Sequence, residues 1–168
     1  MKKNIDCSCP KCQSACSYCP GWFLPGQVEK VAEHLNMTLK ELFDKYLWVN
    51  WWEGEVPIFV LAPATTKMSA GSEYPGDPRG KCIFYKDGKC EIHPVKPYEC
   101  RKAIHGDTQE VVQERHRFIS KKWNKEQYRK QIVELLGREP KTKEYSFFDL
   151  LCGSSFSEEP IEGMNNCE

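Results

Sequence analysis

The chain lacks any stretch near the ~18 consecutive apolar residues of a membrane-spanning helix. Its longest apolar run, Val56 to Ala64, is interrupted by Pro57 and Pro63. The opening residues, MKKNIDCSCPKC, follow two lysines with polar residues and cysteines, not with the apolar core of a secretory signal. Net charge is missing too: 24 Lys and Arg balance 24 Asp and Glu, so no global field draws the chain to nucleic acid or to a membrane. There is no Gly-rich phosphate loop, no dinucleotide glycine motif, no Ser/His/Asp grouping and no internal repeat. The common phosphoryl-, hydride- and acyl-transfer machineries therefore have no visible foothold. These absences lead to an expectation of a cytoplasmic protein without a membrane partner.

What is present is a chain of 168 residues, 40% hydrophobic and 29% charged, enough for one modest core. The expected organisation is a single domain over residues 1–153 and a polar, acidic tail over 154–168. Ten cysteines are the outlying compositional fact. In a reducing compartment disulfides do not persist, and clustered thiols point to metal or redox chemistry. Two alternatives carry less: disulfides after export, and separate dithiols, which would need a βαβ context.

The fold class expected is α+β, mostly helical. Pro25 suits a first helical turn, and Val28, Val31, Ala32 and Leu35 follow at helical spacing. Thr38-Leu-Lys-Glu41 is a capping box, with Leu39, Leu42, Phe43, Tyr46 and Leu47 as the apolar face of a second helix. Together these predict a helical hairpin. Trp48, Trp51 and Trp52 read as core or helix-end packing. A short strand is expected over residues 56–62, then a long loop over 63–81. Asp87-Gly88 between Ile83-Phe84-Tyr85 and Cys90-Glu91-Ile92 is a β-hairpin signal. A turn of helix is expected near Tyr98. Asp107-Thr-Gln-Glu110 reads as another capping box, opening a helix to Trp123 with Val112, His116, Ile119 and Trp123 on one face. Asn124 is expected to cap a further helix, with a Tyr128, Ile132, Leu135 stripe ending at Gly137. YSFFDLLCG could add a last short helix.

Five cysteines crowd the front: Cys7, Cys9, Cys12, Cys16 and Cys19. This segment is too poor in apolar side chains to fold by itself and reads as a loop organised by what its thiols bind. Spacings of two and three residues between thiols let several sulfurs converge on one centre. Cys82 and Cys90 flank the hairpin turn and Cys100 follows it. A four-thiolate site would need at least one front cysteine to join these three, which would give a metal-stapled core. Counting leaves one or two sites open. Cys152, after FFDLL, reads as a packed thiol, and Cys167 falls in the tail.

CIFYKDGKCEIHPVKPYECR resembles the hallmark of the YkgJ-like cysteine-cluster family, the zinc- or iron-chelating CxxCxxCC domain. That pattern runs Cys, apolar residues, Gly-x-Cys, Ile-Tyr, Arg-Pro and Cys-Arg. Here it reads Cys82, Ile83-Phe84, Gly88-Lys89-Cys90, Ile92-His93, Lys96-Pro97 and Cys100-Arg101. The front cluster followed by PGQVEKVAEHLNMTLKELFDKYL is similar to the family's helical hairpin, and the likeness spans residues 9–105. The chain departs from the pattern in having no adjacent Cys pair, and His93 and Lys96 stand where Tyr and Arg are usual. The resemblance implies metal ligands among Cys9, Cys12, Cys16, Cys19, Cys82, Cys90 and Cys100. It also implies a cofactor-binding role for Arg101, whose charge would offset thiolates. The cofactor implied is an iron–sulfur cluster, [4Fe–4S] in type, or zinc.

His93 and His105 are lesser ligand candidates; His34 reads as a surface residue and His116 as a packed core histidine. Residues 113–143 hold ten Lys and Arg against four Glu, which reads first as solvated helix faces and less readily as a nucleic-acid surface. The expected function is an iron–sulfur protein with a redox, sensing or accessory role. Alternatives are a structural zinc module that engages a protein partner, or a component of a methylation-type modification system.

Overall fold

The computed structural model describes residues 10–18, 20–53, 57–73, 79–103 and 107–141. The fold is α+β and mostly helical. In chain order the described elements are α1 (Pro10–Tyr18), α2 (Gln27–His34), α3 (Leu39–Tyr46), β1 (Leu47–Trp52), β2 (Ile58–Pro63), β3 (Ser72–Glu73), β4 (Tyr85–Lys86), β5 (Lys89–Cys90), a 3₁₀ turn (His93–Val95), α4 (Tyr98–Lys102), α5 (Gln109–Trp123) and α6 (Glu126–Leu136).

The hairpin of α2 and α3 forms as the apolar spacing predicts. Val28, Val31 and Ala32 are buried on α2, and Leu42 and Phe43 on α3. The Thr38 capping box is complete: its hydroxyl accepts from Glu41 N–H at 3.2 Å, and Glu41 Oε2 accepts from Thr38 N–H at 2.8 Å. Pro25 instead precedes α2, which opens at Gln27 behind Gly26. Gln27 Oε1 takes the Leu24 N–H at 2.8 Å and the Tyr98 N–H at 2.9 Å, so one side chain closes the helix start and ties it to α4.

Leu47 is not the last residue of the α3 face. It begins β1, because the run that follows, with Val49, Trp51 and Trp52, favours the pleated conformation. Strand β1 pairs antiparallel with β2, Val49 opposite Leu61, and parallel with β3, in the order β2-β1-β3. Helix α3 packs on β1 and α5 on β2. Consecutive residues Leu47 to Val49 and Phe59 to Ala62 are all buried, as expected of strands covered on both faces. Trp48 is 2% exposed and belongs to the core. The stretch after β2 contains β3, so the expected long loop is interrupted.

Two caps differ from expectation. Thr108, not Asp107, caps α5, its hydroxyl accepting from Val111 N–H; Asp107 instead pairs with Arg115, both side chains nearly buried. Lys125, not Asn124, precedes α6, and no side chain caps that helix. Asn124 closes α5, its N–H bonding Ser120 O. Helices α5 and α6 bury most of the predicted stripes, His116, Ile119 and Trp123, then Ile132 and Leu135, with Val112 and Tyr128 half-buried and Gly137 ending α6. Trp123 Nε1–H donates to Phe23 O at 2.7 Å, joining α5 to the segment before α2. The acidic tail and the YSFFDLLCG stretch lie outside the described residues.

Candidate metal centre

The front segment is helical over residues 10–18, where the sequence predicted a loop. Its own side chains supply little apolar surface, so the stabilisation comes from outside. A helix leaves its last carbonyls without intrahelical partners. Here Gly80 N–H donates to Tyr18 O at 2.6 Å and Cys82 N–H donates to Cys16 O at 2.8 Å. The 80–83 segment is held on its other side by Thr66 N–H to Lys81 O at 3.0 Å and Ile83 N–H to Ala64 O at 2.9 Å. Cys16 is thereby set against Cys82.

The β4–β5 hairpin forms as predicted. Asp87 and Gly88 adopt φ of 48° and 75°, the left-handed pair that a two-residue hairpin turn needs and that glycine tolerates best. Tyr85 lies opposite Cys90. Cys82 precedes the hairpin, its carbonyl accepting the Tyr85 N–H at 3.0 Å, and the backbone of Phe84 and Tyr85 favours its ionised form.

Cys100 sits mid-way along α4, close to the backbone of Gly21, which favours an ionised sulfur there. That approach demands glycine: a Cβ on residue 21 would lie 2.6 Å from Glu99 Cβ and 3.1 Å from Cys100 N. The next residue reinforces the junction, with Trp22 N–H donating to Glu99 Oε2 at 2.8 Å. Glu99 Oε1 lies 2.6 Å from His116 Nε2, and the two side chains are 12% and 11% exposed. The Trp22 ring stacks on His116 at 4.3 Å, and Trp52 meets both rings edge-on. Burial pushes the Glu99 carboxyl up, but His116, the Trp22 N–H and Arg115 outweigh it, and the carboxyl is held below its usual range.

Cys16, Cys82, Cys90 and Cys100 are thiols in the structure, not disulfides. The charges of Cys16 and Cys90 act on Cys82, and those of Cys82 and Cys16 act on Cys100, so the front helix, the hairpin and α4 bring thiols to one region. Burial, together with these negative neighbours, pushes the Cys82 thiol up to about 12. It pushes Cys100 well above the usual range, with Glu99 the next cause. Nearby backbone amides, of Phe84 and Tyr85 at Cys82 and of Gly21 at Cys100, act the other way and favour the ionised sulfur. The donor set is soft and all sulfur, with Cys82 buried and Cys16, Cys90 and Cys100 half-buried, which fits zinc or an iron–sulfur cluster in chemistry. Among the described residues, however, no three His, Cys, Asp or Glu side chains converge closely enough to hold a metal ion.

Of the other expected ligands, Cys12 lies on α1, and Cys9 and Cys19 fall outside the described residues, as do Cys7, His105, Cys152 and Cys167. His93 is half-buried in the 3₁₀ turn. Arg101 is committed elsewhere: its Nε–H donates to Lys96 O at 2.9 Å and an Nη2–H to Pro94 O at 2.7 Å. Its guanidinium therefore braces the turn that leads into the Cys100 helix. His34 is exposed, as predicted. Gly21, Glu99 and the His116 pairing were not read from the sequence. Gly21 directly follows a Cys-Pro pair, the only local hint of a close approach.

No family model, no curated protein and no solved structure matches the chain.

Proposed function

We propose that the chain is a thiolate metal-binding protein of the YkgJ-like cysteine-cluster kind, and that its centre is an iron–sulfur cluster with a redox, sensing or accessory role. One observation carries this reading. Cys16 of the front helix accepts the Cys82 N–H through its carbonyl at 2.8 Å, Cys82 leads into the hairpin that carries Cys90, and the segment just after the front cysteines lies against Cys100 at Gly21. Thiols that pack only as small hydrophobes need no such convergence of three parts of the chain, whereas ligating sulfurs do. Residues that would hold the group are Cys82, Cys90 and Cys100, with Cys16 from the front helix and further ligands drawn from Cys9, Cys12 and Cys19. When bound, a cluster would supply electron transfer or a redox-sensitive structural link. The protein would ionise the thiols, shield them from water and hold the front segment against the hairpin.

The test is anaerobic purification followed by an absorbance scan and analysis for iron, sulfide and zinc. The expected result is a broad band near roughly 400 nm with iron and sulfide present. Cys82→Ser, Cys90→Ser and Cys100→Ser should each lower metal content and stability together, because metal binding contributes to folding. A colourless protein with stoichiometric zinc would replace the cluster with a structural zinc module. Full metal occupancy in all three single variants would remove these cysteines from the site.

A further inference from the structure

Basic residues on and beside α4, α5 and α6 fall into two groups. Arg115, Arg129, Lys130 and Arg138 each pair with a carboxylate, respectively of Asp107, Glu139, Glu126 and Glu73. Lys102, Arg117, Lys121, Lys122 and Lys125 are exposed and make no ion pair among the described residues. Two of this second group, Lys122 and Lys102, border apolar surface that is out of place on a solvated helix. Phe118 is 40% exposed and Val111 43%, and their separation of seven residues puts them on one line of the helix. The Phe118 ring lies 5.4 Å from the ring of Tyr98 on α4. Lys122 Nζ stands 5.1 Å from the centre of the Phe118 ring, and Lys102 Nζ stands 5.9 Å from that of Tyr98.

We propose that this α4–α5 face binds single-stranded nucleic acid, with bases stacking at Phe118 and Tyr98 and phosphates neutralised by Lys102, Lys121, Lys122 and Lys125. Aromatic side chains flanked by cations are what an unpaired strand requires, since every base has a flat face and every linkage a negative charge. A duplex hides those base faces. A membrane surface would need a continuous apolar stripe, and the apolar side of α5 is spent on β2 and the core. Glu110 and Glu114 occupy the start of α5, so the strand is expected along its C-terminal half. The proposal does not rest on the metal centre, although Tyr98 shares α4 with Cys100.

The experiment is fluorescence anisotropy of the full chain with a labelled single-stranded oligonucleotide of about 15 nucleotides, titrated at several salt concentrations. Affinity should fall steeply with salt. Phe118→Ala should weaken binding at least about fivefold. Lys121→Gln with Lys122→Gln should lower the salt slope by about one for each phosphate that is no longer neutralised. Lys121 and Lys122 are exposed, so circular dichroism and thermal melting of that double variant should be unchanged; Phe118→Ala should keep its circular dichroism spectrum, and Lys102→Gln provides an independent variant on α4. The proposal is overturned if binding is absent, if it survives Phe118→Ala at full strength, or if duplex DNA, polyglutamate or anionic phosphatidylserine vesicles bind as well as the single strand.

Discussion

Glu99 Oε1 lies 2.6 Å from His116 Nε2, a contact that joins α4 to α5 one residue from Cys100. The same carboxylate accepts the Trp22 N–H through its other oxygen. One buried side chain thus ties three parts of the chain: the segment after the front cysteines, the helix of the last hairpin-group cysteine, and the long helix behind them. The front segment beyond residue 20 is therefore held by protein contacts as well as by anything its thiols bind.

Removing that carboxylate should be costly. Glu99→Ala leaves His116 and the Trp22 N–H without their buried partner, and a loss of about 3–5 kcal/mol is expected. Glu99→Gln keeps an acceptor for Trp22 and should lose less. Urea denaturation of both variants and of His116→Ala tests this. A Glu99/His116 double-mutant cycle with no coupling energy would show that the contact contributes nothing.

Gly21→Ala tests the close approach of the front segment to α4. The added methyl would meet Glu99 Cβ and the Cys100 backbone, and overpacking of this kind costs about 1–3 kcal/mol. Metal content should fall in parallel, because the substitution moves the segment that follows the front cysteines. Unaltered stability and unaltered metal content would disprove the tight junction.

Trp123→Phe keeps an aromatic ring but loses the five-membered part of the indole, with the N–H that reaches Phe23 O at 2.7 Å. The buried carbonyl would then lack its partner, at a cost of about 1–3 kcal/mol. Thermal or chemical unfolding reads this directly, and near-neutral behaviour would mean that water takes the place of the indole.

The acid limb of stability should depend on the α3 capping box. Backbone and side-chain hydrogen bonds from Thr38 hold the Glu41 carboxyl below its usual 4.5. A depressed carboxyl stabilises the fold fully above its unfolded value and loses that contribution as pH falls through the folded one. Glu41→Gln should therefore flatten the loss of stability below about pH 4.5, and Thr38→Ala should do the same while removing about 1 kcal/mol of capping. Identical acid-limb slopes in wild type and both variants would exclude the box as a source.

Cys152→Ser with Cys167→Ser should leave metal content intact, in contrast to Cys82→Ser. Metal analysis of the double variant decides it, and stoichiometric loss would bring the C-terminal cysteines into the site.

The sequence alone determined those features that depend on a few adjacent residues. The Thr38 box, the Asp87-Gly88 turn, the α2–α3 hairpin and the buried stripes of α5 and α6 follow from steric preference, capping and period, all short-range. The crowding of thiols and their separation into a front and a hairpin group were equally legible. Tertiary structure decided the rest. Residues 10–18 are helical because amides of Gly80 and Cys82 cap their last carbonyls, and no local signal encodes a partner so far along the chain. Leu47 leaves the α3 face because the β-favouring run after it finds β2 and β3 to pair with, Leu47 itself lying opposite Pro63. Glu99, His116, Trp22 and Gly21 meet only once α4, α5 and the front segment have packed together. A buried carboxylate and a histidine 17 residues apart leave no period or motif, since what selects them is the free energy of satisfying polar groups inside a core already formed.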